Sequence, residues 1–419
     1  MPLMLTIGLG LALSAVGCGD DTSDTSTAPG SGETTQPAED QVENLLSAAS
    51  GGETLTPVLV SLVGDDTAAV RGSDGRYYAV YELLLTNASS SSADLEAVEV
   101  LDSADGTEVL RFEGEEMIED QALLMLDRQP AEDASLEPSE SRVLLLTASF
   151  ESEADAPGAL DNQIDVSAPA YPGATEPSTL SYRAGGSVDL SRRTPPVLSP
   201  PLEGEGWVAA NGCCEPTGIH RNALLTVNGK LFDAQRFAID WIRVDADGQA
   251  VTGDPSEVSN WVGYGAKVMA VADGVVVASL DDLEDQTPGS LPDPSTINLK
   301  NVDGNYVVID HGDGLYSFYA HLQPGSVAVE VGDEVRAGDR LGLLGNTGNT
   351  SGPHLHFHII GGPSPVASDG FPYVFDSFLL AGTVDSDASD SAPSRAELSP
   401  VEHERELPLD NTIVDFPSG

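Results

Sequence analysis

A chain of 419 residues can hold two ordinary domains and still spare residues for linkers. Its 68 Asp and Glu against 18 Lys and Arg leave a formal net charge of -50. That charge repels polyphosphate and removes the attraction nucleic-acid binding depends on, so nucleic acid is excluded as an expected partner. So acidic a surface suits a salty or divalent-cation-rich milieu that screens its self-repulsion.

In chain order, the run from Leu3 to Val16 is apolar but too short to span a bilayer, and it ends in Ala15, Val16 and Gly17 before Cys18. Residues 1–17 therefore read as an export signal. A small residue ahead of a lone Cys resembles the lipobox of bacterial lipoproteins, with Ala15 where Leu is usual and no Lys or Arg before the apolar run. The resemblance implies a lipid on Cys18 and membrane attachment in the cell envelope, with plain secretion as the alternative. Residues 18–53 are Ser-, Thr-, Asp-, Gly- and Glu-rich with few large apolar side chains, too few to offset the entropy of folding; they read as a disordered tether.

Across residues 54–193, β-rich runs recur at Val58 to Val63, Tyr77 to Thr86, Leu95 to Leu101 and Val143 to Phe150. Turn-rich stretches such as Gly72-Ser73-Asp74-Gly75 separate them. This spacing predicts a β-sandwich. The module contains no His or Cys and no cluster suited to chemistry, and reads as a spacer or docking module. Thr194-Pro195-Pro196-Val197-Leu198-Ser199-Pro200-Pro201 marks a stiff linker over residues 194–205.

Residues 206–384 alternate apolar runs with Gly- and Asp-rich turns, at Lys267 to Ala272, Gly274 to Ala278, Tyr306 to Asp310, Tyr316 to Leu322, Leu341 to Leu344 and His354 to Ile360. No long amphipathic helix is evident, so the chain is expected to be all-β. Residues 385–419 return to acidic composition and read as a disordered tail.

Six of the seven histidines, at 220, 311, 321, 354, 356 and 358, lie in this second module, and His403 lies in the tail. In Gly352-Pro353-His354-Leu355-His356-Phe357-His358, residues two apart on a strand share a face. Three imidazoles would then line one surface while Leu355, Phe357 and Ile359 bury on the other, which points to a metal or catalytic site.

Tyr319-Ala320-His321-Leu322, Gly345-Asn346-Thr347-Gly348 and His354-Leu355-His356 together resemble the lysostaphin and LytM family of zinc endopeptidases. Gly265-Ala266-Lys267-Val268, Ala272-Asp273-Gly274-Val275-Val276, Gly332-Asp333-Glu334-Val335 and Ala337-Gly338 extend the match, from about residue 265 to 360. The resemblance implies a β-sheet peptidase domain acting on peptide cross-links or stem peptides of peptidoglycan. It also implies a zinc held by the His and Asp of a His-x-x-x-Asp segment and by the second His of His-x-His. Carried over, Asp240 and His356 are ligands, and His321 and His354 are the catalytic imidazoles. A catalytic zinc takes about three N or O ligands and leaves one position open to water.

The departure is Arg236, which stands four residues before Asp240 where the first ligand His is expected. A guanidinium has no lone pair to offer a cation. Alternation through Phe237, Ile239 and Trp241 would place Arg236 and Asp240 on one strand face, where a salt bridge between them would compete with metal. The candidates for the third ligand are His220, favoured because it arrives on a separate piece of chain, and His358 on the His356 face. Cys213 and Cys214 stand further out, as a vicinal disulfide or as thiols. His311 reads as structural. Two functions follow: a zinc endopeptidase of the envelope, or a non-catalytic member of the same fold that binds peptidoglycan or activates a hydrolase through an envelope partner.

Overall fold

The computed structural model describes residues 55–64, 66–169, 176–384 and 395–417, with side chains from residue 400 onward in the last stretch. The signal segment, Cys18 and the tether lie outside the described residues. Within Leu55–Gly419, a single compact unit, two modules share the chain, and among the described residues the α-helical content is one turn-and-a-half at Gly114–Glu119.

The first module is built on long antiparallel pairs. Tyr77–Asn87 pairs with Ser141–Phe150 from Tyr77↔Phe150 to Thr86↔Ser141, and Ala93–Asp102 pairs with Ala159–Pro169. A single parallel register point, Ser61↔Gly185, joins the two halves. Tyr81, Leu83 and Leu146 from one half and Val98, Ile164 and Val166 from the other bury in one core, as the two faces of a sandwich do.

The second module is a 12-stranded sheet. At its centre Ile239–Arg243 pairs with Leu355–Ile360, which pairs in turn with Tyr316–Leu322. Leu355, Phe357 and Ile359 are fully buried with Trp241 and Tyr319 on the core side, as the sequence pattern predicts. The register sets Asp240, His356 and Ala320 abreast on three adjacent strands, so the polar side chains emerge together on the opposite face.

Three expectations need correction. The tail is not disordered where it is described. Arg395–Glu406 pairs with Val374–Val384, and Thr412–Phe416 inserts between Val374–Val384 and Gly204–Ala210 with Ile413, Val414 and Phe416 buried. Acidic neighbours masked a short strand whose apolar residues fill the sheet. The expected linker over residues 194–205 is likewise part of the fold. Val197–Leu198 pairs in parallel with Val374–Phe375, Leu198 and Leu202 are buried, and the strand Gly204–Ala210 begins inside the range. Prolines on either side of Val197-Leu198 suit an edge strand, where a missing N–H costs no ladder bond.

The third correction concerns Arg236. Phe237 has φ of +66°, which breaks the expected alternation, and the strand starts only at Ile239. Arg236 is thereby turned away from Asp240 and buried completely against the first module. Its Nη1 lies 3.3 Å from Glu82 Oε2 and donates to the Val80 carbonyl at 3.3 Å, and its Nε donates to the Gly370 carbonyl at 3.1 Å. The expected Arg236–Asp240 salt bridge is absent among the described ion pairs, and the guanidinium charge is answered elsewhere.

Candidate metal centre

Asp240 is the hub. Its Oδ1 lies 2.9 Å from His356 Nδ1, 3.3 Å from His220 Nε2 and 3.3 Å from His354 Nε2. Its Oδ2 accepts a hydrogen bond from Asn211 Nδ2 at 2.7 Å. One ligand atom from each of His220, Asp240 and His356 can be chosen so that all three lie within 4.8 Å of one another. Tetrahedral zinc with N and O bonds of about 2.0–2.2 Å separates its ligand atoms by roughly 3.3–3.6 Å. The Asp240 contacts of 2.9 and 3.3 Å lie close to that separation, and the donor set of two imidazoles and a carboxylate suits such an ion.

The far nitrogens of the two imidazoles are held as ligating histidines require. His220 Nδ1 donates to the Ala238 carbonyl at 3.0 Å, which leaves Nε2 its lone pair toward Asp240. His356 Nε2 lies 3.0 Å from His358 Nδ1. With His356 donating in that bond, Nδ1 keeps its lone pair on the Asp240 side. His358 is thus placed behind His356, hydrogen-bonded to it, and outside the group of three. Cys213 and Cys214 are bonded to each other as a disulfide and offer no thiolate.

Charge states divide the group: burial alone would lower His220, but Asp240 outweighs it and raises that imidazole above its ordinary value. Burial alone would raise the Asp240 carboxyl, but His220 and His354 outweigh it and hold it well below the ordinary carboxylate range. Burial, with the charge of His220 beside it, lowers His356 to about 4 against the pull of Asp240. A carboxylate and a neutral imidazole are the forms a divalent cation binds.

His321 and His354 stand beside the group, their ring centroids 4.7 Å apart, and His321 lies 6.0 Å from the His356 ring. His321 closes its strand with φ of +61°, a left-handed conformation costly for a residue with a Cβ, and strain of this kind gathers at working sites. Its backbone is pinned by N–H to the Asp303 carbonyl at 3.1 Å and by its own carbonyl accepting from Gly345 N at 3.1 Å. Its Nδ1 donates to the Thr347 carbonyl at 2.7 Å, so Nε2 is the proton acceptor. His354 Nδ1 likewise donates to the Gly352 carbonyl at 2.8 Å. The Gly345 to Gly348 segment thus fixes the tautomer of His321, and the turn before the histidine strand fixes that of His354. Burial and the two neighbouring imidazoles keep His321 well below the ordinary imidazole value.

The structure therefore brings together all five residues singled out in the sequence, His220, Asp240, His321, His354 and His356. His311 is apart from them, with Nδ1 on the Asp273 carbonyl at 2.8 Å and Nε2 on Ser317 Oγ at 2.7 Å. Asn211 escaped sequence reading because its contact arises from cross-strand register, with Ala210 opposite Asp240; the only local signal was an Asn-Gly turn.

Residues 260–368 match the family model described as peptidase family M23. The chain carries an M23 peptidase domain. The match holds His321, His354 and His356 but begins after Asp240, so the segment around Arg236 and the loop bearing His220 stand outside it. Among curated proteins, 63 residues are 48% identical to peptidoglycan DD-endopeptidase ShyA of Vibrio cholerae serotype O1, covering 15% of this chain and 14% of that protein. Aligned separately, 96 residues are 34% identical to peptidoglycan DD-endopeptidase ShyC of the same organism, covering 23% of this chain and 18% of that protein. The chain thus spans less than a fifth of the length of these relatives. Among solved structures, the catalytic domain of lysostaphin from Staphylococcus simulans is 20% identical, covering 40% of this chain and 84% of that one, with a TM-score of 0.21.

Proposed function

We propose that this chain is a zinc-dependent endopeptidase that cuts peptide bonds of peptidoglycan, in cross-links or stem peptides, from a position in the bacterial envelope set by a lipid on Cys18. The observation that carries the proposal is the convergence of His220, Asp240 and His356, with His321 and His354 at its edge. The M23 domain supplies the reaction class, and the relatives named as peptidoglycan endopeptidases supply the substrate class.

Zinc held by His220, Asp240 and His356 would supply a Lewis acid and lower the pKa of water in the site. The chain's own residues do the rest. His321, with Nδ1 committed to Thr347, takes the proton from the attacking water at Nε2. His354, with Nδ1 committed to Gly352, directs Nε2 into the site and hydrogen-bonds the carbonyl oxygen as negative charge develops on it. The new carbon–oxygen bond replaces the carbon–nitrogen bond, and the departing amine takes the proton back. Asp240 favours the charged form of His354, to which it lies 3.3 Å away.

The non-catalytic reading rested on Arg236. That residue faces Glu82 and not the site, so it neither blocks the metal position nor occupies Asp240.

Elemental analysis of the purified chain should find one zinc per molecule, lost in His356→Ala. Digestion of purified peptidoglycan, followed by mass spectrometry of released peptides, should fall about 100-fold or more in His354→Ala and His321→Ala with zinc retained. Full zinc in His356→Ala would overturn the assignment.

A further inference from the structure

His220 is held in place from outside its own module. Its imidazole turns inward to Ala238 and Asp240, while the next residue turns the opposite way. The Arg221 guanidinium is buried against the first module, paired with Glu82, which sits wholly enclosed in the strand Tyr77–Asn87. It also donates to the carbonyls of Tyr81 at 3.0 Å and Leu146 at 3.3 Å, and to Asp233 Oδ2 at 2.7 Å. On either side, Thr147 Oγ1 donates to the Cys214 carbonyl at 3.0 Å and Asn222 Nδ2 donates to the Arg128 carbonyl at 3.3 Å. Leu224 packs with Val63, Leu124, Val143 and Leu145 of the first module.

The segment from Cys214 to Leu224 is therefore gripped by the first module at both ends, and His220 is the residue it offers back to the metal centre. Arg236, at the position where the family resemblance would put a ligand, serves the same interface through Glu82 and the Val80 carbonyl. A ligand on a central strand needs nothing beyond its own sheet. A ligand on a loop clamped by another module depends on that module. A buried Arg–carboxylate fork is also directional, because a planar guanidinium meets its acceptors in one orientation.

We propose that the first module is a working part of the metal centre: Glu82, acting through Arg221, is a positioning residue that sets His220 at its distance from Asp240. The third ligand is then present only while the two modules are docked. This rests on the metal-binding reading above.

The test is zinc affinity of the full chain, by competition with a chromophoric chelator, for wild type, His220→Ala, Glu82→Gln, Arg221→Lys and Thr147→Val. The Co2+ absorption spectrum of each loaded protein and the melting temperature of each metal-free protein accompany it. Glu82→Gln and Arg221→Lys should weaken zinc binding about 10–100-fold, as loss of an orienting partner does, and weaken the tetrahedral Co2+ bands, at temperatures where the metal-free protein is folded. Thr147→Val, which deletes one hydroxyl, should weaken binding about threefold and decides the matter if the two charge variants fail to fold. Wild-type affinity and spectrum in the folded positioning variants, with zinc lost in His220→Ala, would overturn the role of Glu82 and leave the metal site standing. A wild-type chain that binds no zinc would overturn both.

Discussion

The two oxygens of Asp240 are given different tasks. Oδ1 faces three imidazoles, and Oδ2 is occupied by Asn211 at 2.7 Å. Asn211 thereby keeps the carboxylate turned so that one oxygen faces the three imidazoles. Asn211→Ala should weaken zinc binding about 10-fold while leaving the melting temperature of the metal-free protein nearly unchanged, measured by chelator competition. Asp303, whose carbonyl holds the backbone of His321, has its carboxyl pushed by burial up to about 7. The unfolded carboxyl ionises near pH 4 while the folded one keeps its proton until about pH 7, so the folded state binds more protons in that window. Stability from this group is therefore present at low pH and eroded between about pH 4 and 7. Asp303→Asn should melt higher than wild type at pH 8 and equal to it at pH 4, by thermal unfolding at the two values. Residues of the site were readable where a motif spaced them, as with His354 and His356. One was hidden where only three-dimensional register brings it to the site: Asn211, set beside Asp240 by the pairing of their strands.

At the scale of elements, the alternation of apolar and polar positions identified the His354 to Ile360 strand and its buried face. The same logic misplaced Arg236, because one left-handed residue, Phe237, reverses which side the chain presents. That reversal is locked by Gly370. A Cβ there would lie 1.9 Å from the Arg236 carbonyl oxygen, and no side chain can move aside because the obstacle is backbone. Gly370→Ala should destabilise the chain by about 2–4 kcal/mol, seen as a lowered denaturant midpoint. Composition failed at Val197–Leu198 and Thr412–Phe416 for a shared reason. Strands of two and five residues flanked by Pro or Asp average to a loop in any window, yet Leu198, Ile413, Val414 and Phe416 are buried. Phe416→Ala, removing a ring packed on Trp241 and Phe375, should cost about 3–5 kcal/mol.

For the molecule as a whole, the charge of -50 is the dominant long-range force. Repulsion among exposed carboxylates falls as the Debye length shrinks, so the melting temperature should rise steadily between 0.05 and 0.5 M NaCl; a flat profile would show that local ion pairs have already neutralised the effect. The coupling of the two sheets was not visible in the sequence, since its agents are single buried ionisable side chains at Glu82, Arg221, Asp233 and Arg236 scattered over the chain. A glutamate inside the apolar run Tyr77 to Thr86 was the one available hint. The placement of Thr412–Phe416 inside the sheet, between strands that begin at Gly204 and Val374, sets an order of events in the making of the protein. A ribosome delivers His321, His354 and His356 well before residues 412–416, and the sheet that carries Asp240 stays open along Gly204–Ala210 until those residues arrive. A sheet made this way is withheld from completion during its own synthesis, and becomes whole only when Thr412–Phe416 is threaded into its slot.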